Sequence, residues 1–262
     1  MSRIVFFAHY DRQAEVKRYV VHYLERLREV SDEMVFLSTS PLPRQQIDKV
    51  SGLVARTILR ENVGYDFGMW QHAIQAVAWS GHDELVLTNS SVVGPIYPLA
   101  PIFSRMATVA CDFWGMTESA EIAPHLQSYF LVFRKPVLES PPFRAFWNSV
   151  LPYRDKNQLI RSYELGLSVF LRDQGFTSAA LVPSSAAPKR WLPRLLPVAH
   201  PNPTLCWPMT TLKLGMPFVK LELLRDNPRG IDLRPIHQAI EKAGYDLFLI
   251  EFDRASPTKR QR

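Results

Sequence analysis

The chain has 262 residues, 47% of them apolar and 21% charged. Those are ordinary globular proportions, which exclude a largely disordered chain and allow one large domain or two small ones. The net charge of +6 and pI of about 9.4 suit an anionic ligand or an anionic membrane surface. The basic residues are scattered and no recognition motif appears, so nucleic-acid binding is disfavoured. Cys111 and Cys206 form neither a disulfide framework nor a zinc pattern, which points to a reducing, cytoplasmic compartment. The apolar run after Met1 ends at His9 and is too short for a secretory leader. No stretch of about 18 apolar residues exists, so no membrane span is expected.

Ile4-Val-Phe-Phe-Ala8 opens the chain as a buried strand of the parallel-sheet kind, and Asp11 can cap the next helix. In that helix Val16, Tyr19, Val20, Tyr23, Leu24, Leu27 and Val30 keep the spacing of one face. Met34 to Thr39 is a second strand. Pro41 and Pro43 break the chain, and Leu53 to Leu59 is a third apolar run. Strand, helix, strand, connection, strand argues an α/β fold with a largely parallel sheet, whose ligands gather at the carboxyl ends of its strands.

One such end carries Arg60-Glu-Asn-Val-Gly-Tyr-Asp-Phe-Gly68 before a helix predicted from about Met69 to Trp79. The two glycines and Asp66 let backbone approach a ligand; the bland alternative is a turn that Asp66 merely caps. Glu84 to Asn89 is a strand ending in Asn89-Ser-Ser-Val-Val-Gly-Pro95. It reads either as a phosphate or metal site or as an Asn/Ser turn. Cys111 to Thr117 comes next. His125-Leu-Gln-Ser-Tyr-Phe130 and Ser162-Tyr-Glu-Leu-Gly-Leu-Ser168 then set polar groups beside strongly apolar ones, the look of a site held at the end of a rigid element. Phe143 to Trp147 is read as helix, with Trp147 in the core.

Pro183 to Pro217 holds eight prolines and is read as a long ordered loop, neither regular helix nor central strand. Inside it, Lys189 to Arg194 is basic with an apolar Trp191, and together with the basic tail Arg254 to Arg262 it could rest on anionic lipid. Either part could equally be a solvated surface. Apolar character returns around Phe218-Val-Lys-Leu221. A last helix runs from about Leu233 to Ala243 and is stopped by Gly244.

Asn62-Val-Gly-Tyr-Asp-Phe-Gly68, Asn89-Ser-Ser-Val-Val-Gly-Pro95, Asp112-Phe-Trp-Gly-Met-Thr117, His125 to Phe130, Ser162-Tyr-Glu164 and His200-Pro-Asn-Pro203 occur in this order. Together, from about residue 4 to about 228, they resemble the rhamnan synthesis F family of bacterial glycosyltransferases that assemble surface polysaccharides such as O-antigen. The resemblance implies a single GT-A-like domain. Residues 1–135 would be the nucleotide-sugar half, 136–228 the acceptor half, and 229–262 a C-terminal helix and basic tail. It implies a sugar-nucleotide donor, usually dTDP-L-rhamnose, a saccharide acceptor that is often lipid-linked, and inversion at the transferred carbon. Inversion needs a base and charge stabilisation at the departing diphosphate. By the resemblance Glu164 is that base, the bland alternative being that it only favours the positive N-terminus of its helix, and Asp112 is the runner-up base or a sugar-hydroxyl ligand. His9, Tyr10, Asn62, Gly64, Tyr65, Asp66, Asn89, Ser90 and Ser91 line the donor. Trp114, His125, Gln127 and Ser128 line the sugar or acceptor. The Asp-x-Asp position of such enzymes, often Asn-Asp-Ser in this family, is Asn89-Ser90-Ser91 here. A hard divalent cation wants carboxylate oxygens. Either Mg²⁺ or Mn²⁺ is held by other groups, with His200 a candidate ligand, or basic residues take its place. A non-catalytic module that binds sugar nucleotides or glycans is the alternative, and the missing acid at Ser90 keeps it open.

Overall fold

The computed structural model describes residues 1–120, 123–151, 153, 160–188 and 202–250. β1 (Arg3–His9), β2 (Glu33–Ser38), β3 (Arg56–Leu59) and β4 (Glu84–Asn89) lie in the order 3-2-1-4, all parallel. β5 (Val92–Val93) leaves this sheet. β6 (Phe113–Ser119), β7 (His125–Leu126) and β8 (Phe130–Arg134) continue it in the order 4-8-6-7. β8 runs antiparallel to both neighbours, and β9 (Ser178–Val182) pairs in parallel with β6. The expected α/β architecture with a mostly parallel central sheet is present, with β8 and the short β7 running against the rest.

The sheet is covered on both faces, which is why β1 reads as an uninterrupted apolar run. Val5 and Phe7 face one core with α1 (Arg18–Arg28) and α4 (Leu99–Ala107). Ile4, Phe6 and Ala8 face the other with α3 (Tyr65–Ala76), α5 (Pro141–Ser149) and α6 (Leu165–Asp173). α2 (Arg44–Ser51) joins β2 to β3, and α7 (Arg234–Lys242) closes the described chain against the first core through Ile236 and Ile240. Gly244 lies just past α7 with φ 79°, as a helix stop requires.

Several elements differ from the reading of the sequence. α1 begins only at Arg18, with Lys17 and not Asp11 at its N-cap, and of the run from Leu53 only Arg56–Leu59 is strand. α3 starts at Tyr65 rather than about Met69 because Gly64, at φ 78°, makes the left-handed turn four residues earlier. Gly68 must then stay bare, since a Cβ there would lie 2.5 Å from the Val63 carbonyl oxygen. The run beginning at Ser162 opens within a π turn, Ile160–Glu164, before α6. The proline-rich segment includes two short helices, Pro203–Cys206 and Pro208–Lys213, each opened by proline. The first turn of a helix tolerates the missing N–H, so proline density does not exclude helix there.

A second, two-stranded sheet pairs β10 (Val219–Lys220) with β5. The chain approaches closely just before it: a Cβ on Gly94 would lie 2.4 Å from the Pro217 carbonyl oxygen. Ile96 N–H donates to that same oxygen at 2.8 Å, and Leu221 N–H donates to Ser91 O at 3.0 Å. These bonds carry residues 217–221 to the carboxyl end of β4.

Candidate active site

The parallel strands end level. In register His9 stands opposite Ser38 and Ala8 opposite Asn89, so the ends of β2, β1 and β4 form one rim. A cavity of about 590 Å³ opens on it, within the size range of small-molecule sites. Tyr10, Asn62, Tyr65, Asp66, Asn89, Ser90 and Ser91 line it, and so do Lys220, Glu222, Arg225 and Asp226 from the far end of the sequence.

Asn89 organises the β4 end. Its Nδ2 donates to Asp66 Oδ2 at 2.7 Å, while its Oδ1 accepts from Ser91 N at 3.1 Å and from Ser91 Oγ at 2.6 Å. Asp66 stands in the first turn of α3, where Gly64 is the cap and no side chain caps the helix. Its carboxylate faces Asn89, joining the two motifs across the rim. Tyr10 is half exposed, and its N–H reaches Ser90 Oγ at 3.4 Å. Lys220 Nζ lies 3.2 Å from Ser91 Oγ and 4.6 Å from the centroid of the Tyr129 ring. Arg225 grips Asp226 through Nε and Nη2, at 2.7–3.0 Å. That bond holds the Asp226 carboxyl below its ordinary pKa and raises the guanidinium.

The second cluster forms where β8 begins. Glu164 Oε1 accepts from Ser128 N–H at 3.0 Å. The next residue, Tyr129, has its carbonyl bound by Thr88 Oγ1 at 2.8 Å, one residue before Asn89. Tyr129 is buried with its hydroxyl 2.7 Å from Thr117 Oγ1; burial, and then the Glu164 charge, raise its pKa far out of the physiological range. Glu164, Ser128, Tyr129, Lys220 and Ser91 thus form a connected path along the rim.

Several residues singled out in the sequence lie elsewhere. Asp112 sits at the amino end of β6, the edge opposite the cavity, where Oδ2 accepts from Thr177 N and Oγ1, both at 2.7 Å. That corrects its candidacy as a base: it fastens β6 to the start of β9. Trp114 has no exposed surface and packs on Phe103 and Phe130 in the core, so it is corrected from sugar contact to packing. His9 is buried against Phe36 with Nδ1 2.9 Å from Ser38 Oγ, and does not line the cavity. Burial pushes its pKa down to about 4, so it is neutral at neutral pH. Gln127 is buried, its Oε1 bound by Thr117 Oγ1 at 2.7 Å and its Nε2 donating to Asn202 Oδ1 at 3.2 Å. His125 is buried beside Ala123 O at 2.8 Å. Gly64 borders a smaller adjoining cavity with Asn62 and Tyr65. His200, Lys189–Arg194 and the basic tail lie outside the described residues.

A family model described as rhamnan synthesis protein F matches residues 34–259. The chain belongs to the rhamnan synthesis protein F family. It is similar to the virulence protein VirA of Vibrio anguillarum, 28% identical over 197 residues, covering 66% of this chain and 63% of that one. The chain therefore spans less than two thirds of that relative. It is also similar to an uncharacterized protein, y4gN, of Sinorhizobium fredii, 29% identical over 164 residues, covering 60% of this chain and 43% of that one. Among solved structures it is similar to glucosyl-3-phosphoglycerate synthase from Mycobacterium tuberculosis in complex with Mn²⁺ and UDP-glucose. There the identity is 15%, the coverage 70% of this chain and 69% of that one, and the TM-score 0.47.

A divalent cation is the cofactor the family resemblance raises; its candidate ligand His200 lies outside the described residues, and position 90 offers a hydroxyl in place of a carboxylate. Among the described residues no three His, Cys, Asp or Glu side chains cluster as metal ligands. Both hydrogen bonds accepted by Asn89 Oδ1 are internal, and an ammonium already stands on Ser91 Oγ. Lys220 was the functional candidate that sequence reasoning missed. It lies 129 positions from Ser91 and looked like one polar residue in an apolar strand. The apolar run around Phe218 was the available signal, since a strand there had to pair somewhere.

Proposed function

We propose that this protein is an inverting glycosyltransferase with a GT-A-like domain, transferring L-rhamnose from dTDP-L-rhamnose to a glycan acceptor of a bacterial surface polysaccharide. Membership in the rhamnan synthesis protein F family supports sugar transfer. The observation that carries the mechanism is Glu164, a carboxylate fixed by Ser128 N–H where β8 begins beside the end of β4; neither residue lines the cavity itself. In this reading the cavity takes the sugar nucleotide, and Glu164 and Ser128 face the acceptor. Glu164 removes the proton of an acceptor hydroxyl as its oxygen forms the new bond to the anomeric carbon. The bond from that carbon to the diphosphate breaks on the opposite face, and the electron pair leaves with the diphosphate. Residues 1–135 form most of the donor half, with Lys220–Asp226 added from the acceptor half.

Cys111 and Cys206 are both buried, and this reading places the enzyme in a reducing cytoplasmic setting. No helix among the described residues is long and apolar enough to cross a membrane. A lipid-linked acceptor would place the enzyme at the inner face of the membrane as a peripheral protein. The second reading, a non-catalytic sugar-nucleotide or glycan-binding module, draws on Ser90, which has no carboxylate where family members often have one.

The test is nucleotide release from a panel of sugar nucleotides, with a rhamnose-terminated oligosaccharide as acceptor. Release with dTDP-L-rhamnose, and product of inverted configuration by NMR, is expected. Binding of a donor without turnover in the presence of that acceptor and of lipid-linked glycan would favour the non-catalytic module.

A further inference from the structure

Ser128 N–H holds Glu164 at 3.0 Å, so whatever fixes Ser128 fixes the carboxylate. β7 ends at Leu126 and β8 begins at Phe130, which leaves residues 127–129 as a turn outside both strands. Two threonines hold that turn. Gln127 N–H donates to Thr117 O at 3.0 Å, and Thr88 Oγ1 donates to Tyr129 O at 2.8 Å. The side chains on either side of Ser128 then converge on one atom: Gln127 Oε1 and Tyr129 OH each lie 2.7 Å from Thr117 Oγ1. All three residues are buried, where a polar group left without a partner is costly. One turn along from Glu164, Ser168 Oγ accepts the Leu126 N–H at 3.1 Å, so α6 is docked on the same stretch of chain at a second point.

The direction of these bonds is set from the far end. Thr204 N–H can only donate, so the Asn202 atom 3.1 Å away is its amide oxygen, Oδ1. That oxygen also receives Gln127 Nε2 at 3.2 Å. The Gln127 amide therefore turns its own oxygen to Thr117, whose single proton goes to it. Thr117 Oγ1 in turn receives the proton of the Tyr129 hydroxyl, for which Met216 Sδ, 3.6 Å away, is a weaker acceptor.

We propose that Thr117 is a positioning residue for sugar transfer: its hydroxyl clamps both neighbours of Ser128 and so sets where the Glu164 carboxylate meets the acceptor hydroxyl. This rests on the reading of Glu164 as the base. A base must stand within hydrogen-bond reach of the proton it takes, and a displacement of about 1 Å costs up to about a hundredfold in rate. Valine has the shape of threonine without the hydroxyl. Thr117→Val leaves Gln127 Oε1 and the Tyr129 hydroxyl without their shared partner, and the turn between them loses its fixed position. Thr117 does not line the donor cavity, so the sugar nucleotide should bind as before.

The test measures kcat and donor KM for transfer from dTDP-L-rhamnose to a rhamnose-terminated oligosaccharide, with melting temperature as the check that each variant folds. Thr117→Val should lower kcat about ten- to hundredfold with donor KM unchanged, and Thr117→Ser, which keeps the hydroxyl, should restore most of the rate. Tyr129→Phe removes one of the two bonds and keeps the ring; it should show a smaller loss of the same kind, and it carries the test if Thr117→Val does not fold. The same changes made in Glu164→Gln should lower the residual rate no further, because their effect passes through the carboxylate. A parental kcat in the folded variants, a loss confined to donor KM, or a loss repeated in full in Glu164→Gln would overturn the proposal and leave Glu164 standing as the base. Glu164→Gln as active as the parent would remove the base, and this proposal with it.

Discussion

Replacing Glu164 by Gln separates a base from a structural hydrogen bond. Glu164 Oε1 holds one defined partner, the N–H of Ser128, at 3.0 Å. The amide oxygen of Gln can accept that same bond. What is lost is the charge assistance, a difference of about 1 kcal/mol, or a fall of about 2–4 °C in melting temperature for a chain of this size. The loss in catalysis should be far larger. An amide cannot take the acceptor proton, and a positioned general base contributes about 10²–10⁴-fold, or roughly 3–5 kcal/mol of barrier. Donor affinity should stay within about twofold, because the base acts on the acceptor and not on the diphosphate. The assay pairs donor titration calorimetry with the initial rate of transfer. Donor binding and transfer lost in equal measure would show that Glu164 shapes the rim and carries no proton, and an undiminished rate would refute the mechanism outright.

Asp112→Ala should do the reverse. It strips the bonds to Thr177 N and Oγ1, at about 1–3 kcal/mol of stability, without altering kcat; a large rate loss in the folded variant would restore Asp112 as a catalytic candidate. His9 makes stability depend on pH. Its folded pKa, about 4, lies below the 6.5 of the unfolded chain, so the unfolded state takes up a proton first as pH falls. The stability present above pH 6.5 is therefore lost on descending to about 4, by up to about 3 kcal/mol. His9→Asn should show a flatter urea-midpoint profile over that window, and an unchanged slope would contradict the assignment. Gly68→Ala should lower the melting temperature despite the better helix propensity of alanine, because its Cβ would meet the Val63 carbonyl oxygen at 2.5 Å. Overpacking of that kind costs about 1–3 kcal/mol, and a variant as stable as the parent would show that the turn yields.

The backbone elements were written in local spacing. Ile4 to Ala8 and Glu84 to Asn89 are buried throughout because both faces of the sheet are covered, and a continuous apolar run is the mark of that environment. The helical face from Tyr19 to Leu27 is buried as its periodicity required, and Gly64 and Gly244 turn the chain where their positive φ is needed. The rim residues Tyr10, Asn62, Tyr65, Asp66 and Asn89 to Ser91 were legible because an α/β sheet delivers the ends of its parallel strands to one edge. Which end of a strand a residue occupies is equally local, yet Asp112 was misread, since the sequence marks a polar residue beside a strand without marking its direction in the sheet. Trp114 and His9 were misread because aromatic rings and imidazoles serve core and site alike, and only neighbours such as Phe103 and Phe36 decide between them. Tertiary structure alone brought Lys220 to Ser91 and Ser128 to Glu164, pairs 129 and 36 residues apart. No spacing rule reaches that far: such contacts are set by the docking of one small sheet and one helix against the rim, and that docking depends on every surface the chain has already buried.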